Sequence, residues 1–186
     1  MRRNLLILAV LGLFAAAGAW WLRSDGASAA ADDPKLLANR VWAERAPRDD
    51  RDMVLYFVPI QIGSKRSGVM QRSSRYAFGG ELFAWSREGD ALLLDVPQRA
   101  RTFKVPVRTW KCGTNEAPKG FDLCLELGSG DEKVRLYSRK GWRMPKPTDL
   151  PAVAMPLSQE ALPSLEPGCP DCREGDVTEL RELLAR

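Results

Sequence analysis

The chain predicts an all-β fold, an antiparallel up-and-down barrel of about eight strands, with an N-terminal apolar helix and a proline-rich tail ending in a short helix. Three observations carry that prediction. Apolar and polar residues alternate through much of residues 39–139, which describes strands with one dry and one wet face. Short turns separate the runs, so consecutive strands pair as hairpins. No long amphipathic helix lies between them. A meander of this length leaves two open edges unless it closes on itself, and a barrel removes both. Two stacked sheets would show the same alternation, so a sandwich is the other arrangement the pattern allows.

The elements follow in order. Arg2 and Arg3 precede an apolar run from Leu5 to Leu22, then Arg23 and the small residues Ala27-Ser28-Ala29-Ala30-Ala31. A charged start, an apolar centre and an A-x-A site describe an export signal. At roughly 18 residues the run is also long enough to cross a bilayer, so residues 1–30 read as a signal peptide cleaved near Ala29 or as an uncleaved anchor. Either way the rest lies outside the cytoplasm, on the periplasmic side of the cell envelope, because the arginines hold the N-terminus inside.

Residues 31–143 form the expected barrel. Asp33-Pro34 starts a helical turn, with Asp as N-cap and Pro at the first helical position. Asn39–Glu44 then alternates as a strand, and Met53–Ile62 is rich in Val, Ile, Tyr and Phe. Gly63-Ser64-Lys65-Arg66 turns the chain into a polar strand, Ser67–Ser74. Glu81–Ser86 and Ala91–Val96 flank Glu88-Gly89-Asp90 as a hairpin. In Thr102–Trp110, Phe103, Val105, Val107 and Thr109 share the inner face. In Phe121–Leu127, Phe121, Leu123, Leu125 and Leu127 face in, while Asp122, Cys124 and Glu126 face out. Lys133–Arg139 completes the set.

Residues 144–186 change character. Pro145, Pro147, Pro151 and Pro156 exclude sheet and long helix, with one helical turn expected at Ser158–Leu162. Asp176 is positioned to cap a final helix with an apolar stripe of Val177, Leu180, Leu183 and Leu184.

Composition removes several kinds of chemistry. The chain contains 28 Lys and Arg against 24 Asp and Glu, and no His. Without histidine there is no Ser-His-Asp or Cys-His nucleophile, no His-ligated metal and no His-held haem. The acids sit at turns or on outward strand faces, and none stands out as a catalytic pair. No catalytic residue, metal ligand or cofactor is assigned. Setting aside Arg2, Arg3, Arg23 and Asp25 leaves 25 basic against 23 acidic residues, a net charge of +2. Their interspersion along the chain gives no footprint for nucleic acid or anionic lipid. The membrane is expected to be met through the N-terminal segment.

An exported short helical turn, a first strand carrying one Trp and an eight-stranded meander together resemble the calycins, lipocalin-like proteins in particular. In that family the first strand carries Gly-x-Trp, and the Trp closes the barrel floor beneath a basic residue of the last strand. The matching positions here are Arg40-Val41-Trp42, with Arg40 in the glycine's place and Arg135 or Arg139 as the basic cap. The resemblance implies a barrel able to hold a small apolar molecule or lipid, with Trp42, Phe57, Trp85, Phe103, Val105, Leu123 and Leu125 as inward candidates. The same residues also serve as plain core in a barrel filled by its own side chains.

Four cysteines in an exported chain point to two disulfides. Cys112 and Cys124 flank one loop, and Cys169 and Cys172 lie close together, so a local pairing is expected. The crossed pairing would staple the tail to the barrel instead. Cys169-Pro170-Asp171-Cys172 also has the spacing of a redox centre, although such centres sit at a helix N-terminus in a βαβ unit. Three functions follow: a module binding a small apolar molecule or lipid, a structural or interaction protein with a filled barrel, and a thiol-disulfide or carboxylate enzyme.

Overall fold

Eight antiparallel strands close into a barrel in the computed structural model, which describes residues 31–144, 169 and 171–185. The apolar run Leu5–Leu22, its A-x-A site and the proline-punctuated stretch with Ser158–Leu162 lie outside the described residues. Among the described residues no helix is long and apolar enough to cross a membrane.

The strands are β1 (Trp42–Ala43), β2 (Val54–Ile62), β3 (Lys65–Ser73), β4 (Gly80–Glu88), β5 (Ala91–Val96), β6 (Arg101–Lys111), β7 (Leu123–Leu127) and β8 (Val134–Ser138). Each pairs with its neighbour in sequence, β5 with β6 included, and the β1–β8 pair joins first strand to last. Because every step is a hairpin, the connections alternate between two ends. The floor holds the β2–β3, β4–β5 and β6–β7 connections, and the mouth holds the others.

A ninth strand was not anticipated. β9 (Arg173–Gly175) lies parallel to β6, with Arg101 opposite Arg173 and Phe103 opposite Gly175. β7 covers only Val107–Lys111 of that edge, so β9 occupies the part β7 leaves open. Helix α1 (Val177–Ala185) follows, and Glu179 donates its backbone N–H to Asp176 Oδ1 at 2.8 Å, the expected cap. Leu180 and Leu184 are buried within the barrel's hydrophobic cluster, so the helix stops the mouth.

A 3-10 turn at Pro34–Leu36 closes the floor, with Asp33 Oδ1 accepting from Lys35 N at 3.2 Å. Asp33 is fixed in turn by Thr109, whose carbonyl accepts the Asp33 N–H at 2.6 Å and whose hydroxyl donates to the Asp33 carbonyl at 2.5 Å. Thr109, a polar residue on an inner face, is fully buried because both its groups are used.

Two local expectations change. The first strand is shorter than Asn39–Glu44, because Arg40 bridges to Arg143 and Asn39 bonds Pro59 and Gln61 in place of a continuous ladder. Phe121 is not inward. β7 begins only at Leu123, and the Phe121 ring packs outside against Tyr137 and, edge-on, against Trp142.

Candidate binding site at the barrel mouth

The interior is the first place to seek a site. Trp42, Phe57, Trp85, Phe103, Val105, Leu123 and Leu125 all lie buried in one hydrophobic cluster. Phe57 and Phe83 stack with ring centroids 5.0 Å apart and planes 4° apart. Glycine at position 68 gives the Phe83 ring the space it occupies. The two indoles have their polar ends satisfied by backbone. Trp42 Nε1 donates to the Leu37 carbonyl at 3.0 Å, and Trp85 Nε1 donates to Ser67 and Ile60 carbonyls at 2.9 and 3.1 Å. The inward residues therefore fill the barrel with their own side chains.

The basic residues of β8 and beyond face other aromatic rings. Arg135 bonds Glu126 at 2.9 Å, which raises its pKa, and lies over Trp110 at 5.8 Å. Arg139 lies over Phe121 and Trp142, at 5.1 and 4.9 Å. A cation does sit on an inner Trp near the floor, Arg66 over Trp85 at 5.3 Å. Arg40, standing where the resembled motif has glycine, is 5% exposed and donates Nη1–H to the Arg139 carbonyl at 2.6 Å. Burial, reinforced by Arg143, pulls its pKa down.

Cys112 and Cys124 are joined, as are Cys169 and Cys172. Cys124 is opposite Trp110 on β6 and Tyr137 on β8, on the barrel's outer side, yet it is fully buried. Its cover is the bridged Lys111–Gly120 loop, which Glu116 pins by accepting from Gly113 N at 2.7 Å and Trp110 Nε1 at 3.0 Å. The first of these bonds, then the second, holds the Glu116 carboxyl below its ordinary range. The Cys169–Cys172 ring immediately precedes β9, and Arg173 N donates to the Ala100 carbonyl at 3.0 Å.

The cleft of interest lies at the mouth, outside the filled interior. It encloses about 430 Å³ between the β3–β4 connection and α1, with Met53, Leu55, Met70, Phe78, Leu183 and Leu184 as its apolar lining. Arg72, Arg99 and Glu81 supply its polar edge. Arg72 Nε donates to the Leu184 carbonyl at 3.0 Å, and Arg99 Nε bonds Glu81 at 2.9 Å. Phe78, 83% exposed, stands at its rim, and Tyr76, 71% exposed, precedes it on the same connection. Their loop is ordered by Ser74, whose hydroxyl accepts from Tyr76 N and Ala77 N and whose N–H donates to the Ala77 carbonyl. The backbone is held while the rings face solvent. Sequence reasoning passed over these two residues; the available signal was a pair of aromatics in a turn, where no strand needs them. Among the described residues no cluster of acids or cysteines is arranged to hold a metal.

Comparisons with protein-family models, with curated proteins and with solved structures find no match to this chain. Its eight-stranded closed antiparallel barrel is compatible with the lipocalin-like architecture.

Proposed function

We propose that this protein is an extracytoplasmic lipocalin-like binding module, tethered or secreted, that takes a small apolar molecule or lipid at its mouth. The observation that supports this reading is the mouth cleft, a hollow of about 430 Å³ with both apolar and charged lining and the solvent-facing Phe78 ring at its edge. Apolar clefts with a few polar groups at one edge are where small ligands bind, and large exposed aromatics are otherwise costly to leave in water. The stacked Phe57–Phe83 pair supports seeking the site at the mouth and not in the barrel interior, where the resemblance would put it.

Small molecules co-purifying with the protein, identified by unbiased mass spectrometry, test this reading together with displacement of a fluorescent apolar probe. Phe78→Ser and Leu183→Ser are expected to release both the co-purified molecule and the probe, while Val105→Ala leaves probe affinity within a few-fold. Probe binding that ignores Phe78 and Leu183 would end the mouth reading.

The filled barrel supports a second reading, a non-catalytic interaction protein whose Tyr76–Phe78 rim meets another protein. A partner lost on Phe78→Ser, with no apolar molecule co-purifying, would favour it.

A further inference from the structure

Folding sorts charges that are mixed along the sequence. At the mouth, five arginines are engaged with acids: Arg45 with Asp52, Arg72 with Glu44, Arg75 with Asp50, Arg99 with Glu81 and Arg101 with Glu179. At the floor, Asp32 is engaged by Arg87, Glu88 by Lys104 and Asp122 by Lys140. Lys65, Lys119 and Arg143 are left there with no acidic partner among the described residues.

A second observation points the same way. Four buried guanidinium N–H groups have no acceptor among the described residues: Arg40 Nε, Arg66 Nε, Arg87 Nη1 and Arg139 Nε. All four belong to the floor end. Buried donors without acceptors are rare in folded proteins, and their clustering gathers positive charge at this end.

The floor segments also form one connected rim. Asn39 bonds Pro59 and Gln61 at the foot of β2, and its carbonyl accepts from Met144 N at 2.9 Å. Val41 N donates to the Trp142 carbonyl at 3.2 Å. The β2–β3 hairpin tip is thereby stitched to the segment after β8. The rim so made combines Lys65, Lys140 and Arg143 with Ile62, 44% exposed, and the half-buried Trp142. The chain enters the barrel at this end, at Asp32, with only Arg23–Ala31 between it and the apolar run.

We infer that the floor rim, Ile62–Arg66 with Arg139–Met144, is a docking surface for an anionic phospholipid bilayer. Phosphodiester groups pair with the exposed Lys65, Lys140 and Arg143, and the more buried Arg40, Arg66 and Arg139 add positive charge behind them. Ile62 and Trp142 provide the apolar and amphipathic contacts that suit the headgroup boundary. The mouth, with its own cleft, is then left facing away from the lipid.

The full chain, reconstituted into nanodiscs of phosphatidylcholine alone or of equal parts phosphatidylcholine and phosphatidylglycerol, tests this by amide hydrogen exchange. Exchange at residues 62–66 and 139–144 is expected to slow roughly tenfold or more in the anionic discs only, and to recover in high salt. The Lys65→Glu/Arg143→Glu variant loses that protection while its β6 and β7 amides stay protected, which shows that it is folded. Lys65→Gln/Arg143→Gln, a milder change, loses part of it. Phe78→Ser leaves it intact, so the rim is separable from the mouth cleft. Equal exchange in both kinds of disc would overturn the inference. So would protection at residues 74–79 instead, or the same floor protection produced by inorganic phosphate over neutral discs.

Discussion

Phe83 of β4 lies directly across from Gly68 of β3, so close that a Cβ on the glycine would come within 2.3 Å of the phenyl ring. The glycine is what lets Phe83 lie flat against Phe57 and occupy the barrel's centre. Phe83 itself is fully buried in the hydrophobic cluster.

Gly68→Ala is therefore expected to force the stacked pair apart. Overpacking of this kind costs about 1–3 kcal/mol. Urea denaturation of the two proteins measures it. Phe83→Ala, which empties the same space, should cost about 3–5 kcal/mol and give the barrel an interior it otherwise lacks.

Trp42 closes the floor by packing and by one hydrogen bond to Leu37. Trp42→Ala is expected to cost about 3–5 kcal/mol. Trp42→Phe keeps an aromatic ring but strands the Leu37 carbonyl, and should lose about 1–3 kcal/mol. If Phe proves as damaging as Ala, the bond to Leu37 rather than ring volume holds the floor.

Gly175 plays for the tail the part Gly68 plays for the core. A Cβ there would lie 2.4 Å from the Phe103 ring, so Gly175→Ala should lift β9 from β6. Leu180 and Leu184 would lose their seats with it. Fast hydrogen exchange throughout Val177–Leu184, with β2 to β5 unchanged, is the expected signature.

The two disulfides differ in what they constrain. Cys112–Cys124 closes a connection with a sequence separation of 12, and its removal as Cys112→Ala/Cys124→Ala should cost about 3 kcal/mol. Cys169–Cys172 spans a separation of only 3, so its loss should cost clearly less. Peptide mapping without reduction checks the pairing, and thermal unfolding of each variant checks the ranking.

Glu116 gives the Lys111–Gly120 loop a dependence on acid. Its hydrogen bonds to Gly113 and Trp110 favour the carboxylate and lower its pKa. A carboxyl with a depressed folded pKa stabilises fully above its unfolded value, about 4.3, and that stabilisation disappears as pH falls towards the folded value. Glu116→Gln should therefore be less stable than the parent at neutral pH and converge with it in acid. Denaturation midpoints across that range would show a constant gap if Glu116 has no such role.

The barrel was legible because its signals are local. Leu92 and Leu94, or Phe103, Val105 and Val107, announce an inner face by position alone. Asp33-Pro34 and Asp176 announced their caps through backbone chemistry. β9 carried no such signal, since Arg173-Glu174-Gly175 has no apolar alternation and pairs only because β7 stops short. Phe121 was misplaced because alternation cannot show where a strand begins. Cys124 illustrates a subtler limit. Its outward direction was readable from Asp122 and Glu126, yet its burial depends on a loop folding over it. The mouth cleft and the floor rim arise only when distant turns are brought to one end, and no linear pattern encodes that.

The strand that completes the wall beside β6 is the last of the described strands to emerge during synthesis. Until Arg173–Gly175 arrives, the stretch Arg101–Phe103 presents unpaired amides and carbonyls to any neighbouring chain. Pairing across so many intervening residues is slow to form. A growing or prematurely ended polypeptide would thus carry a sticky seam, and its hazard would be self-association rather than loss of a ligand. Folding machinery would meet this molecule first as an unfinished cylinder, sealed only when the helix after β9 seats.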